Sequence, residues 1–523
     1  MRPTSAVGST AHRVRVRAAP LLASRVNFAP RRGRWAHRAR RRVHPGAMEW
    51  IAAPDYWLGR LLCQRLVAAV YLLGFLAAAR QFRALIGAHG LLPVPRFLAR
   101  VRPRQAPSLF HLHYSDRAFA ALAWTGVLLA AAVLAGAAEL LPLGGAMALW
   151  AVLWVLYLSI VNVGQTWYAF GWESLLLEAG SLMVFLGNGQ VAPPWPVLWL
   201  LRWLVFRVEF GAGMIKIRGD ACWRRLTCTR FHHETQPMPG PLSWFFHHLP
   251  ALLHRIEVAA NHFVQLLVPF LLFTPQPVAG WAALAMITTQ LWLVASGNFA
   301  WLNWLTIALA AATLPGRAPA GSLPRPTPLW FGVLAWAVTA LVAYLSYRPA
   351  RNLLSRRQQM NRSYNPLHLV NAYGAFGSVN RMRLEVVIEG ERAGHWQEYG
   401  FRGKPGELHR MPRQYAPYHL RLDWLMWFAG ISPSYARPWF TGLAARLLVN
   451  DPDTLRLLRH NPFPHGPPER VRARLYRYRF TDWRELRTTG AWWRRALVRE
   501  YLAPVTLHEV GHLLDDHPHR PRP

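Results

Sequence analysis

The sequence predicts a polytopic α-helical membrane protein of about eight or nine hydrophobic helices, with a C-terminal soluble α+β domain that contains antiparallel strands. Three observations predict it. First, 22 residues between Arg325 and Arg348 carry no charge, and Val258–Gly316, Leu140–Trp172 and Ala179–Leu201 contain no Asp, Glu, Lys or Arg. A transmembrane helix needs about 20 mostly apolar residues. Second, Trp and Tyr cluster at the ends of these runs, where an aromatic belt places them. Third, after Tyr347 the texture changes to a basic linker and then to β-branched alternation.

The hydrophobic segments follow in order: Gln64–Leu85, Ala118–Ala138, Ala146–Val163, Glu173–Gly187, Trp195–Ile217, Val258–Phe273, Val278–Ala295, Phe299–Leu314 and Thr327–Tyr347. Arg65, Arg80 and Arg83 stand near the ends of the first, where long basic side chains snorkel to the interface. Glu173–Gly187 is short and amphipathic, which fits a re-entrant or interfacial helix. The bundle is expected over residues 48–350, interrupted by a polar loop at 218–256. Residues 1–47 hold no acidic residue and many arginines, and they lack the apolar core of a secretory signal. They are expected to be a disordered head, with Met48 as a sensible start of translation.

The C-terminal domain is expected over 365–505. Arg383–Glu389 and His395–Phe401 alternate on either side of Gly390–Gly394, which reads as an antiparallel hairpin. Leu420–Gly430 and Trp439–Leu448 read as helices, and Val471–Phe480 as a further strand. Trp492–Ala503 fits a last strand or a short helix. Residues 506–523 read as a disordered tail.

Lys and Arg total 60 against 25 Asp and Glu. Nearly all the basic residues are Arg, and only Lys216 and Lys404 are lysines. Arg in place of Lys, with abundant Ala, Pro and Gly, is expected from a GC-rich bacterial genome rather than from nucleic-acid binding. The partner implied is the lipid bilayer, and no nucleic acid is expected. Of the three cysteines, Cys222 and Cys228 fit small buried residues or a disulfide on an oxidising face.

Ionisable groups inside apolar segments are costly and face the protein interior. Gln165, Glu173, Glu178, Arg207, Glu209, Lys216 and Asp220 form a candidate intramembrane polar network, with the bases pairing the two glutamates. His232, His233 and Glu234 mark a candidate interaction loop. Trp396, Asp423 and Trp424 are expected in the core of the C-terminal domain. His508, Glu509 and His512 match the spacing of a zinc-binding HExxH helix, but a short chain end offers neither a third ligand nor a walled cleft. No catalytic residue, resident metal or cofactor is expected.

Several of these segments join longer ordered blocks. They are Tyr157–Gln165, Gly171–Gly180, Phe210–Lys216 with Gly219-Asp220 and Trp223–Thr227, His233–Pro237, Ser296–Phe299, Asn371–Gly374, Val387–Gly390, Trp396–Tyr399, Lys404–Gly406 and Pro417–Phe428. In this combination the chain resembles the lipase maturation factor family, from about Tyr56 to about Pro504. Animal members are endoplasmic-reticulum membrane proteins that help secreted dimeric lipases fold and assemble. The resemblance therefore implies an integral, multi-pass assembly factor for an exported client protein such as a lipase. With the bacterial composition, the inner membrane is the expected location. The alternative is an integral membrane enzyme of the vitamin K-dependent carboxylase-like class, acting on a lipid or peptide. The basic head and the Arg348–Arg357 linker both ask for the cytoplasm, whereas an exported client asks for the C-terminal domain on the other side.

Overall fold

The computed structural model describes residues 49–319 and 325–515, so the expectation of a disordered head lies outside the described residues. The bundle is built from α1 (Trp57–Leu85), α2 (Asp116–Ala135), α3 (Leu143–Val163), α4 (Gly171–Met183), α5 (Trp195–Arg218), α6 (Thr229–Thr235), α7 (Ala251–Leu266), α8 (Val278–Ser296), α9 (Leu302–Ala311) and α10 (Leu329–Leu345). Ser115 starts α2 by accepting a hydrogen bond from the Ala118 amide, as an N-cap serine does. α4 runs through the middle and is buried along almost its whole length. It lies so close to α1 that a Cβ at Gly180 would stand 1.8 Å from the Tyr71 hydroxyl. Only glycine permits that approach.

Five helices among the described residues are long and apolar enough to cross a bilayer: α1, α2, α3, α8 and α10 with its extension to Leu354. This count does not confirm the expected eight or nine. α9 is apolar but only 10 residues long and almost wholly buried, so it serves as a core helix. α5 has buried Arg202, Arg207, Glu209 and Lys216 and is shielded by its neighbours. α7 spans 16 residues and includes Glu257.

Contacts define two ends of the bundle. At one, the Ala53 amide meets the Pro193 carbonyl, Leu58 meets Gly316 and Arg325 meets Gln190. Arg60 pairs with Glu139 there at 2.7 Å. At the other, the Ala88 amide donates to Asp116 (2.8 Å) and Gln236 donates to the Ser296 carbonyl (2.8 Å). The C-terminal part sits at this second end, where Gln81 donates to the His419 carbonyl (2.7 Å) and Asn298 accepts from the Tyr415 amide (2.6 Å).

The C-terminal part contains an antiparallel sheet of β1 (Arg383–Arg392), β2 (His395–Glu398), β3 (Arg470–Phe480) and β4 (Trp493–Thr506), in the order β2-β1-β3-β4. The β1–β2 turn is tighter than its sequence suggests, because Arg392 pairs with His395. Ala393 and Gly394 both take positive φ, as a two-residue hairpin turn requires. The last segment is a strand. The Arg-rich β3 is explained by its neighbour β1, since Arg470 stands 2.5 Å from Glu391 and Arg472 2.5 Å from Glu389. Helix α11 (Arg421–Ile431) packs on β1, and α12 (Phe440–Leu448) packs on β3. Leu422, Trp424 and Met426 share one continuous buried cluster with Leu175, Leu201 and Trp301 of the bundle. The C-terminal part is therefore welded to the membrane part.

The start of the expected tail is ordered. Thr506 and Glu509 form a capping box, which satisfies two helix-end donors reciprocally. It opens α13 (Leu507–Val510), and a second short turn follows at His512–Asp515. Val510 is buried in the common core, and α13 packs on α12. Residues 516–523 lie outside the described residues. Truncation after Thr506 is therefore expected to lower stability, with Val510 alone contributing about 1.5–3 kcal/mol. A thermal melt of the truncated chain in detergent measures it, and an unchanged melting temperature would contradict it.

Candidate functional site

The predicted polar residues separate into several groups, and two of them join the bundle to the C-terminal part. In the first, Arg207 of α5 pairs with Glu178 of α4, both side chains being buried. Arg207 also donates to the Asn371 carbonyl (2.7 Å). Glu178 receives the Asn371 amide (3.0 Å), the Asn371 side chain (2.9 Å) and the Tyr373 hydroxyl (2.7 Å). These bonds to the carboxylate help offset the desolvation of a buried ion pair, and the buried Arg207 Nε is left without a partner among the described residues.

The second group centres on Glu173. Arg421 donates to it at 2.7 Å and the Tyr157 hydroxyl at 2.5 Å. Arg421 also donates to the Trp167 carbonyl (2.6 Å) and lies 3.5 Å from the centre of the Tyr168 ring. His419 stands 3.8 Å from Glu173, and burial pushes its imidazole down to about 4. Trp424 packs here against Trp172 at 4.8 Å and Phe170 at 5.9 Å, not between the hairpin and a helix of its own domain. Asp423 is buried and receives the amides of Gly403 (2.6 Å) and Lys404 (3.1 Å). Burial pushes its carboxyl up, against the pull of those amides.

The third group lines a cavity of about 920 Å³ between α5, α7, α8, α9, the segment 373–380 and α11. Glu209 accepts from Gln265 (3.0 Å) and Gln290 (2.7 Å). Lys216 donates to the same Gln265 (2.7 Å) and to Asn261 (2.9 Å). Asn303 completes the chain on Gln290 at 2.6 Å. Trp223, Trp292 and Phe299 are among the aromatic residues on the walls. The arrangement can receive a largely apolar body with a polar group directed at Glu209 and Lys216.

Two expected members lie elsewhere. Asp220 caps Cys222 and pairs with Arg381 at 2.7 Å, and Gln165 donates to the Leu92 carbonyl at 2.8 Å. The expected pairing of all the bases with Glu173 and Glu178 is therefore realised by Arg207 alone.

Residues 218–256 do not project as an interaction loop. His232, His233 and Glu234 are buried. His232 lies between Phe299 and Phe376, and burial pushes it down to about 3. Glu234 accepts the Phe480 amide at 2.8 Å, and Arg383 donates to the carbonyls of Glu234, Gln236 and Pro237. The segment is a spacer between the bundle and the sheet. Cys222 and Cys228 form a disulfide within it, replacing the reading of two separate small residues. The ordered sequence blocks meet physically here. A Cβ at Gly297 would stand 1.8 Å from Gln236 Oε1, so a larger residue in the Ser296-Gly297-Asn298 turn would have to displace the Gln236 side chain from its bonds to Ser243 and the Ser296 carbonyl.

Trp396 is half-buried on the edge strand β2, with the Arg472 guanidinium 3.8 Å above its ring. It is not core, because β2 has a neighbour on one side only. Trp396→Ala is expected to cost about 0.5–1 kcal/mol, the worth of an exposed cation–π contact. A loss several-fold larger in a thermal melt would return Trp396 to the core. His508, Glu509 and His512 are exposed, and the Glu509 carboxylate is committed to Thr506.

Comparison with known proteins places this geometry. Residues 58–319 match the family model described as the lipase maturation factor transmembrane domain, and residues 369–503 match the lipase maturation factor C-terminal domain. Lipase maturation factor 1 of Bos taurus is 40% identical over 517 residues, covering 88% of this chain and 91% of that protein. The Homo sapiens protein of the same name is 40% identical over 519 residues, covering 89% and 91%. Homo sapiens lipase maturation factor 2 is 29% identical over 593 residues, covering 86% and 83%. No solved structure matches the chain. These relatives are animal proteins, and they lend no support to the bacterial origin read from composition or to a bacterial inner membrane. The carboxylase-like reading gains no support from them either.

Proposed function

The chain belongs to the lipase maturation factor family, and from that premise we propose that it is a membrane-embedded maturation factor acting on an exported lipase. The observation that carries this reading is the continuity of the match across both parts and the residues that lock them together, Glu178–Arg207 with Asn371 and Glu173 with Arg421. A client handled by the C-terminal part is thereby held at the membrane surface.

The disulfide supports one orientation. Cys222, Trp223 and Cys228 pack with Val379 and Phe376, so the disulfide and the C-terminal part share one end of the bundle. Disulfides persist in oxidising compartments, which puts that end on the exported side, the lumen of an endoplasmic reticulum in a cell that has one. Ala53 and Leu58 lie at the opposite end, which this orientation assigns to the cytoplasm, the side on which the positive-inside rule expects basic flanks. The Arg348–Arg357 linker then lies outside that rule.

Two measurements test the reading. A phosphatase reporter fused after residue 365 is expected to be active on the exported side; a reporter that works only in the cytoplasm overturns the orientation. A secreted dimeric lipase synthesised in the same cells is expected to co-isolate with the full-length chain from detergent-solubilised membranes, in its newly made pool. Equal recovery of the lipase with and without the chain argues against the client class.

A further inference from the structure

His233 of α6 faces His254 and Glu257 of α7, which are three residues apart on one face of that helix. His233 Nε2 lies 3.1 Å from Glu257 Oε2, and His254 Nδ1 lies 3.8 Å from the same oxygen. One donor atom from each residue falls within 4.8 Å of the others. Zinc bonds nitrogen and oxygen at about 2.0–2.2 Å, so donors on a tetrahedron around it stand about 3.3–3.6 Å apart. The two short separations straddle that range.

The surroundings orient two of these donors, His254 and Glu257, while the buried Nδ1 of His233 has no partner among the described residues. His254 Nε2 is 3.3 Å from the His247 carbonyl. A carbonyl only accepts, so Nε2 carries the proton and Nδ1 offers its lone pair. Trp292 donates to Glu257 Oε1 at 2.8 Å, which leaves Oε2 facing the histidines. Ring N–H on a carbonyl and a hydrogen-bonded carboxylate are what holds ligands to a metal in place. The Thr229 hydroxyl, 3.1 Å from His254 Nδ1, donates to the His254 carbonyl at 3.2 Å. The ion-pair partners of Glu257 among the described residues are the two histidines. His233 and Glu257 also line the large cavity.

We propose that His233, His254 and Glu257 bind one divalent transition metal of the zinc class, with a fourth coordination position open to the cavity. Two imidazoles and a carboxylate suit zinc, and three protein ligands with an open position are the arrangement that accepts water or a ligand carboxylate. The HExxH residues His508, Glu509 and His512 play no part in it.

The test uses the full-length chain in detergent, stripped with a chelator and reloaded with zinc or with cobalt(II) alone. About one metal ion per chain is expected by elemental mass spectrometry, and the cobalt form is expected to show the visible d–d bands of a four-coordinate site. His254→Ala and Glu257→Gln are each expected to cut retained metal about tenfold or more. His232→Ala and the double substitution His508→Ala, His512→Ala are expected to retain it. A folded chain with no metal and no cobalt bands would overturn the proposal, leaving a histidine–carboxylate hydrogen-bond cluster. Metal retained in full by folded His254→Ala and Glu257→Gln would also overturn it. If those variants fail to fold, the cobalt spectrum of the unsubstituted chain decides, because bands of a six-coordinate, water-like site contradict the ligand set.

Discussion

Arg421→Ala is expected to destabilise the chain by about 3–5 kcal/mol, the cost of leaving one partner of a buried ion pair uncompensated. Glu173 would lose its cation while remaining fully buried, and the Tyr157 hydroxyl cannot replace that charge. The Trp167 carbonyl and the Tyr168 ring would lose their partner in the same step. Because Arg421 belongs to the C-terminal part and Glu173 to the bundle, the damage falls on their junction. Limited proteolysis of the solubilised chain should release the C-terminal part before the bundle unfolds. The joint replacement Glu173→Leu with Arg421→Leu should recover part of the loss, since removing both charges leaves none buried alone. A melting temperature for Arg421→Ala equal to that of the parent would show that the pair does not hold the junction.

Trp424→Ala is expected to cost about 3–5 kcal/mol through the cavity it leaves. The side chain is buried against Trp172 and Phe170 of the bundle and against His419. Its loss opens the same junction from the apolar side. Trp424→Phe should cost less, because the ring that faces Trp172 is kept. The comparison is made by thermal melting at matched detergent, with membrane abundance as a second reading. If Trp424→Ala and Trp396→Ala behave alike, burial at the junction confers no more stability than a place on an edge strand.

The membrane bundle was legible because a water-soluble domain rarely goes so many residues without a charge, whereas a bilayer span requires it. The number of spans was not, because apolarity does not distinguish a helix facing lipid from one enclosed by protein. Leu302–Ala311 is as apolar as a span and is buried in the core. The hairpin at β1 and β2 was read from alternation and turn residues alone. Trp396 was misplaced by the same alternation, since a pattern of period two says which face a residue occupies but not whether its strand has two neighbours. In the polar network the residue types were informative and the pairings were not. Gln265 and Gln290, overlooked amid the charge-free run Val258–Gly316, are the partners of Glu209. Polar amides in an otherwise apolar run were the available signal. Residues 218–256 looked like a projecting loop because their partners, such as Ser296 for Gln236 and Thr481 for Trp244, lie far along the chain. His233 illustrates the same point. Its adjacent His232 is not its companion, whereas His254 and Glu257, more than 20 residues away, are.

That this chain matures an exported lipase from a membrane-locked platform is tested most directly by secreted lipase activity. Cells lacking their own maturation factors and expressing a dimeric secreted lipase would receive this chain, the Arg421→Ala chain, or neither. The unsubstituted chain is expected to raise secreted activity per lipase molecule made, and Arg421→Ala is expected to fail to do so at matched membrane abundance. Secreted activity that is the same with and without the unsubstituted chain, in cells where it is membrane-inserted and its Cys222–Cys228 disulfide is formed, would contradict that role.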